Sequence, residues 1–119
     1  VVRDFIEAVI VSHRVDRDRR QGRPQQLVAR LRDVGSRRRR RTPAERARLQ
    51  RIVRLVDRCF LSGPNCYRRA LTEIAMDAGA ATERLHMGLS ARDGFDPAGH
   101  AWLDSSPDQG VGYDAEFCV

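Results

Sequence analysis

The chain has 119 residues, 41% of them hydrophobic and 32% charged, which supports one modest core but not two domains of ordinary size. Its most apolar early stretch, residues 8–11, is far short of the roughly 20 residues that span a bilayer, and no signal-peptide core follows a basic start, so a soluble, cytoplasmic protein without a membrane span is expected. Three cysteines are too few for a disulfide framework and their spacing with three histidines fits no zinc pattern, so an unpaired thiol is expected and a metal or cofactor is not.

All 22 basic residues are arginine, and the formal net charge is +6. Residues 1–69 hold 20 Arg against 7 acids and residues 70–119 hold 2 against 9, so the halves carry +13 and −7. This asymmetry points to something acidic, either another molecule or the chain's own second half. The chain begins at Val1 rather than Met and stops at Val119 within an expected strand, so trimming from a longer chain is expected.

In chain order, Val2, Phe5, Ile6, Val9 and Ile10 recur at helical spacing and predict an amphipathic helix with that stripe buried. Residues 17–24 read as a loop. Leu27, Val28, Leu31 and Val34 predict a second helix, with Gly35 as its stop. The arginine run at 37–41 reads as a connector, because adjacent like charges repel. Thr42-Pro43-Ala44-Glu45 is a capping box followed by a helix that buries Leu49, Ile52, Val53, Val56 and Phe60. Residues 62–65 break the chain, and Asn65 is suited to cap a helix beginning at Cys66. That helix presents Tyr67, Ala70, Leu71, Ile74, Ala75 and Ala78, and Gly79 reads as its left-handed stop.

Beyond Gly79 the period changes to two. Leu85, Met87 and Leu89 alternate with Arg84, His86, Gly88 and Ser90, which predicts a strand. Residues 91–99 read as a loop. His100, Trp102 and Asp104 share one face of a second strand, and Tyr113, Ala115 and Phe117 alternate along a third. The fold class is therefore α+β, with helices first and a small antiparallel sheet after them.

A cysteine at the first turn of a helix meets the free amides and the positive end of the helix dipole, so Cys66 is placed to be a nucleophile. His100 is the candidate base, since imidazole can take the thiol proton and return it to a leaving amine. A carboxylate on a strand paired with that of His100 would orient the ring; Asp114 is the first choice, with Asp104 and Asp108 as competitors. Cys59 and Cys118 read as structural, His13 and His86 as surface or packing residues, and Trp102 as a wall of the site or part of the core.

The run Asn65-Cys66-Tyr67-Arg68-Arg69-Ala70-Leu71, then Met87-Gly88-Leu89, then Gly99-His100-Ala101-Trp102-Leu103-Asp104 resembles the transglutaminase-like cysteine peptidases. More narrowly it is similar to the lasso-peptide maturation proteases, which remove the leader from a ribosomally made precursor. The resemblance spans residues 42–119 and implies a transglutaminase-like, papain-like core there, with residues 1–41 as a basic helical region and linker. It carries the Cys/His/Asp triad over to Cys66, His100 and Asp114. The pattern departs from the family at Tyr67 and Ala70, where Leu and Ser are commoner, and at Asp104, where Glu is usual. The implied partners are a precursor leader peptide, a separate leader-recognition protein and an ATP-dependent cyclase. The rival readings are a transglutaminase or deamidase, and a non-catalytic Arg-rich binding module; no motif for a nucleic-acid partner accompanies the arginines.

Overall fold

The helix starts follow their local chemistry. In the computed structural model, which describes residues 2–92, 96–105 and 115–118, the order is α1 (Val2–Arg19), α2 (Pro24–Ser36), α3 (Pro43–Arg58), α4 (Cys66–Met76), α5 (Ala78–Ala81), β1 (Leu85–Arg92), β2 (Asp96–Leu103) and β3 (Ala115–Cys118). Thr42 accepts the Glu45 amide at 3.2 Å while Glu45 accepts the Thr42 amide at 3.1 Å, so the capping box forms as expected. Asn65 accepts the Arg68 amide at 2.9 Å and caps α4. No helix among the described residues is long and apolar enough to cross a membrane.

Helix α4 is the hub, in contact with α1, α2, α3, α5 and β2. Leu71 and Ile74 on α4 join Leu27 and Val28 of α2 and Leu85 and Leu103 of the sheet in one buried cluster. Ala8 of α1, Leu49, Val53 and Val56 of α3 and Met76 of α4 form a second. The sheet is antiparallel in the order β2-β1-β3, with Gly88 opposite both His100 and Glu116. Its first hairpin runs further than the alternating pattern suggests, because Ser90, Ala91 and Arg92 pair with Ala98, Pro97 and Asp96, residues read as loop.

Several sequence expectations change. The stripe of α1 expected to be buried is exposed at Val2 (74%), Ile6 (52%) and Phe5 (41%), and the inward residues are Ala8, Ser12 and Val15. Small residues let α1 approach α4 closely, with Ser12 Oγ 3.4 Å from Thr72 Oγ1 in a buried contact. The helix also continues to Arg19, through part of the expected loop. Gly35 lies within α2, and a Cβ there would stand 1.8 Å from the Ile74 carbonyl oxygen, so glycine permits the α2–α4 approach. Gly79 is inside α5 rather than a left-handed stop. Asp77, in an extended conformation, ends α4 and caps α5 by accepting the Gly79 and Ala80 amides. Among the described residues, the left-handed glycine is Gly63, at φ 86°, in the α3–α4 break.

The arginine run joins α2 to α3, as expected, but it is tied to the surrounding helices. Arg37 pairs with Asp33, Arg38 with Glu7, Arg39 with Glu45 and Arg41 with Asp4. Like-charge repulsion along residues 37–41 is thus offset by carboxylates on α1, α2 and α3.

Gly35→Ala is expected to lower stability by about 2 kcal/mol or more, through overpacking against α4. Gly22→Ala, where the nearest atom to an added Cβ is 3.7 Å away, should be neutral or slightly stabilising. Urea denaturation of both variants distinguishes the two environments. A second expectation concerns acid. Hydrogen bonding by Arg39, then by the Thr42 amide and hydroxyl, pushes the Glu45 carboxyl down to about 2. Because the folded value lies below the unfolded one, its stabilising contribution is complete above the ordinary carboxylate range and is lost as pH falls toward about 2. The stability difference between wild type and Glu45→Gln, measured by denaturation across that range, should shrink with acidification.

Candidate active site

The position of Cys66 is set by a buried charge cluster behind it. Arg68 and Asp57 are each 1% exposed. The Asp57 carboxylate accepts from Arg68 Nε at 2.7 Å, from the Asn65 amide at 2.8 Å and from Arg69 Nη1 at 3.2 Å. Arg68 also donates to Asp16 at 3.0 Å, to the Gly63 carbonyl at 2.8 Å and to the Asp57 carbonyl at 3.2 Å, while its guanidinium lies 3.7 Å from the centre of the Phe60 ring. The end of α3, the break at residues 62–65 and the start of α4 are thereby clasped around one cation.

Cys66 is the first residue of α4 and is half-buried. Its Sγ accepts the Ala101 amide of β2 at 3.3 Å, so both the helix start and a strand amide present positive partial charge to the sulfur. His100, one residue earlier on β2, lines the same small cleft as Cys66, together with Gln50, Arg69, Glu73 and Trp102. Burial raises the Glu73 carboxyl above its usual range, against the opposing pull of Arg46. Arg46 is shared among Glu73, Asp77 and Glu83, at 3.5, 3.1 and 2.8 Å.

The structure therefore brings Cys66 and His100 to one cleft, and buried Trp102 joins them as a wall. Asp114 and Asp108 lie outside the described residues. The expected pairing of the third strand with the His100 strand is not found: β3 pairs with β1, and β1 separates it from β2. Asp104 turns to His86, with Oδ1 2.5 Å from Nε2, and its other oxygen accepts the Arg84 amide at 2.9 Å. The His86 contact, followed by the Arg84 amide, holds the Asp104 carboxyl below its usual range.

His86 stacks on Trp102 at 5.4 Å, and Trp102 stacks on His100 at 5.5 Å, so the three rings form a row on one sheet face. Cys118 is exposed, with Sγ 3.3 Å from His86 Nδ1. Cys59, at the C-terminal end of α3, is also exposed and donates to the Leu55 carbonyl at 3.4 Å. The alternation of β1 and β3 puts His86 and Cys118 on definite faces, but only the pairing register makes them neighbours. Among the described residues, no group of three or more His, Cys, Asp or Glu is arranged to hold a metal ion.

Arg68→Met is expected to cost about 3–5 kcal/mol by leaving the Asp57 carboxylate buried with much of its compensation removed. Arg69→Met, which removes one partly exposed partner of the same carboxylate, should cost roughly 1 kcal/mol. Equilibrium urea denaturation of the two variants measures the difference, and equal losses would contradict the central role assigned to Arg68.

No protein-family model, curated protein or solved structure was found to match this chain.

Proposed function

We propose that the chain is a transglutaminase-like cysteine peptidase of the cytoplasm, acting on a ribosomally made precursor peptide to remove its leader, as in lasso-peptide maturation. The observation that carries this reading is the single cleft in which a thiol at a helix start, hydrogen-bonded by a strand amide, lies with a histidine from that same strand. The resemblance of the Asn65-Cys66 and His100-Ala101-Trp102 segments supplies the substrate class.

Cys66 Sγ attacks the carbonyl carbon at the leader/core junction while His100 takes the thiol proton. The Cys66 backbone amide helps to stabilise the oxyanion. His100 then protonates the leaving amine, the C–N bond breaks, and water hydrolyses the thioester with His100 again acting as base. Asp114 is the proposed positioning carboxylate on the family resemblance alone, since β3 pairs with β1 and not with the strand of His100. Precursor leader, a separate leader-recognition protein and an ATP-dependent cyclase are the proposed partners. The ion pairs of residues 37–41 with the chain's own acids favour this enzyme reading over a module that offers those arginines to another molecule.

Cys66→Ala should abolish processing of the precursor, and His100→Ala should reduce it by at least about a hundredfold. Cys59→Ala and Cys118→Ala should keep most activity. Asp114→Asn should give a large but incomplete loss, with smaller effects from Asp104→Asn and Asp108→Asn. Product masses report the reaction: leader and core fragments support the peptidase, whereas a deamidated or cross-linked intact precursor identifies the rival acyl-transfer chemistry. Full processing by folded Cys66→Ala protein would overturn the assignment.

A further inference from the structure

The proposed peptidase uses Cys66 and His100, yet a second thiol, imidazole and carboxylate are connected on the sheet. Cys118 Sγ is 3.3 Å from His86 Nδ1, and His86 Nε2 is 2.5 Å from Asp104 Oδ1. Register accounts for the assembly: His86 lies on the central strand, opposite Trp102 of β2 on one side and Cys118 of β3 on the other. Asp104 follows β2 directly and is anchored by the Arg84 amide at 2.9 Å. Trp102, stacked on His86 with only 10° between the planes, holds the imidazole in this orientation.

The contacts assign roles to the ring nitrogens. A carboxylate accepting the Nε2 proton leaves Nδ1 of the neutral ring with its lone pair toward Cys118, so the thiol donates to Nδ1. The sulfur and the carboxylate meet opposite nitrogens of the ring and do not converge on a common point, which fits acid–base relay better than metal ligation. Cys118 is exposed, so a small molecule can reach its sulfur. The other thiols lack this combination. Cys59 donates to a carbonyl of its own helix, and half-buried Cys66 is turned to the Ala101 amide.

We propose that Cys118 is a second reactive thiol, with His86 as its base and Asp104 as a positioning residue, and that it exchanges with low-molecular-weight disulfides. As Cys118 Sγ attacks one sulfur of the disulfide, His86 Nδ1 takes the thiol proton. The bond between Cys118 and that sulfur forms while the original S–S bond breaks. The departing thiolate takes the proton from His86 and leaves as a thiol. One protein thiol and one small disulfide thus become one mixed disulfide and one small thiol, with the protein sulfur oxidised and the leaving sulfur reduced. This site does not depend on the peptidase reading.

The test uses Cys59→Ala/Cys66→Ala protein, in which Cys118 is the remaining thiol, treated with oxidised glutathione near neutral pH and followed by intact mass. Adding His86→Gln should slow glutathionyl transfer by about tenfold or more. Asp104→Asn should slow it several-fold, with recovery of most of the rate in Asp104→Glu. Cys59-only protein, made by Cys66→Ala/Cys118→Ala, should react slowly and show no response to His86→Gln. Thermal unfolding of each variant checks the fold, and reaction of the urea-unfolded proteins should erase the differences. An unchanged Cys118 rate in folded His86→Gln protein, or a Cys59 rate equal to that of Cys118, would overturn the proposal. Because Cys66 is absent from both proteins, neither result bears on peptide cleavage.

Discussion

The buried Arg68 guanidinium is the constraint around which this molecule is arranged. It joins Asp57 from α3, Asp16 from α1 and two backbone carbonyls near the α3–α4 break, and it belongs to the helix whose first residue is Cys66. Desolvating this charge is costly unless its donors are satisfied, and the surrounding oxygens satisfy them in a fixed geometry. Asp57 extends the constraint by accepting the Asn65 amide, so the same carboxylate that compensates the cation positions the cap of α4. The location of the Cys66 thiol is therefore a consequence of electrostatic satisfaction two residues away. Apolar packing of α4 then carries that position to β2, where the Ala101 amide meets the sulfur.

Charge elsewhere is organised on the same principle. Although the chain has an arginine-rich first half, much of that charge is neutralised within the fold. Acids on α1, α2 and α3 pair with the connector at residues 37–41, and Arg46 reaches Glu73, Asp77 and Glu83 beyond it. The exposed pairs contribute little individually, since water and salt screen them. Arg41 with Asp4 and Arg46 with Asp77 are better covered, and they tie the connector and α3 to the elements on either side. The apolar side of α1 is treated differently: Val2, Phe5, Ile6 and Ile10 remain at the surface, while Ala8, Ser12 and Val15 face inward and the small Ser12 meets Thr72 of α4.

The three thiols show how environment separates residues of identical chemistry. Cys59 lies at the end of α3 and is occupied by a carbonyl of that helix. Cys66 combines a helix start, a strand amide and a cleft shared with His100. Cys118 sits on a strand, exposed, with an imidazole as its neighbour. A row of rings, His86, Trp102 and His100, links the region around Cys118 to the wall of the Cys66 cleft.

The sequence by itself determined features whose physics is local. Thr42 and Asn65 cap the amides that follow them within one helical turn, so the starts of α3 and α4, and with them Cys66 at a helix start, could be read directly. Alternation announced β1 and put His100 and Trp102 on one face. Tertiary structure decided what depended on distant partners. The inward side of α1 followed from close approach to Thr72, not from its most hydrophobic stripe. Arg68 and Asp57 could be buried only because they complete each other across the α3–α4 break, and neither residue signals burial alone. Strand order placed β1 between β2 and β3, brought Cys118 to His86 across 32 positions and directed Asp104 to that same ring. Side-chain period fixes the face of a strand residue, whereas its neighbour depends on pairing and register, and those are set by the packing of the whole chain.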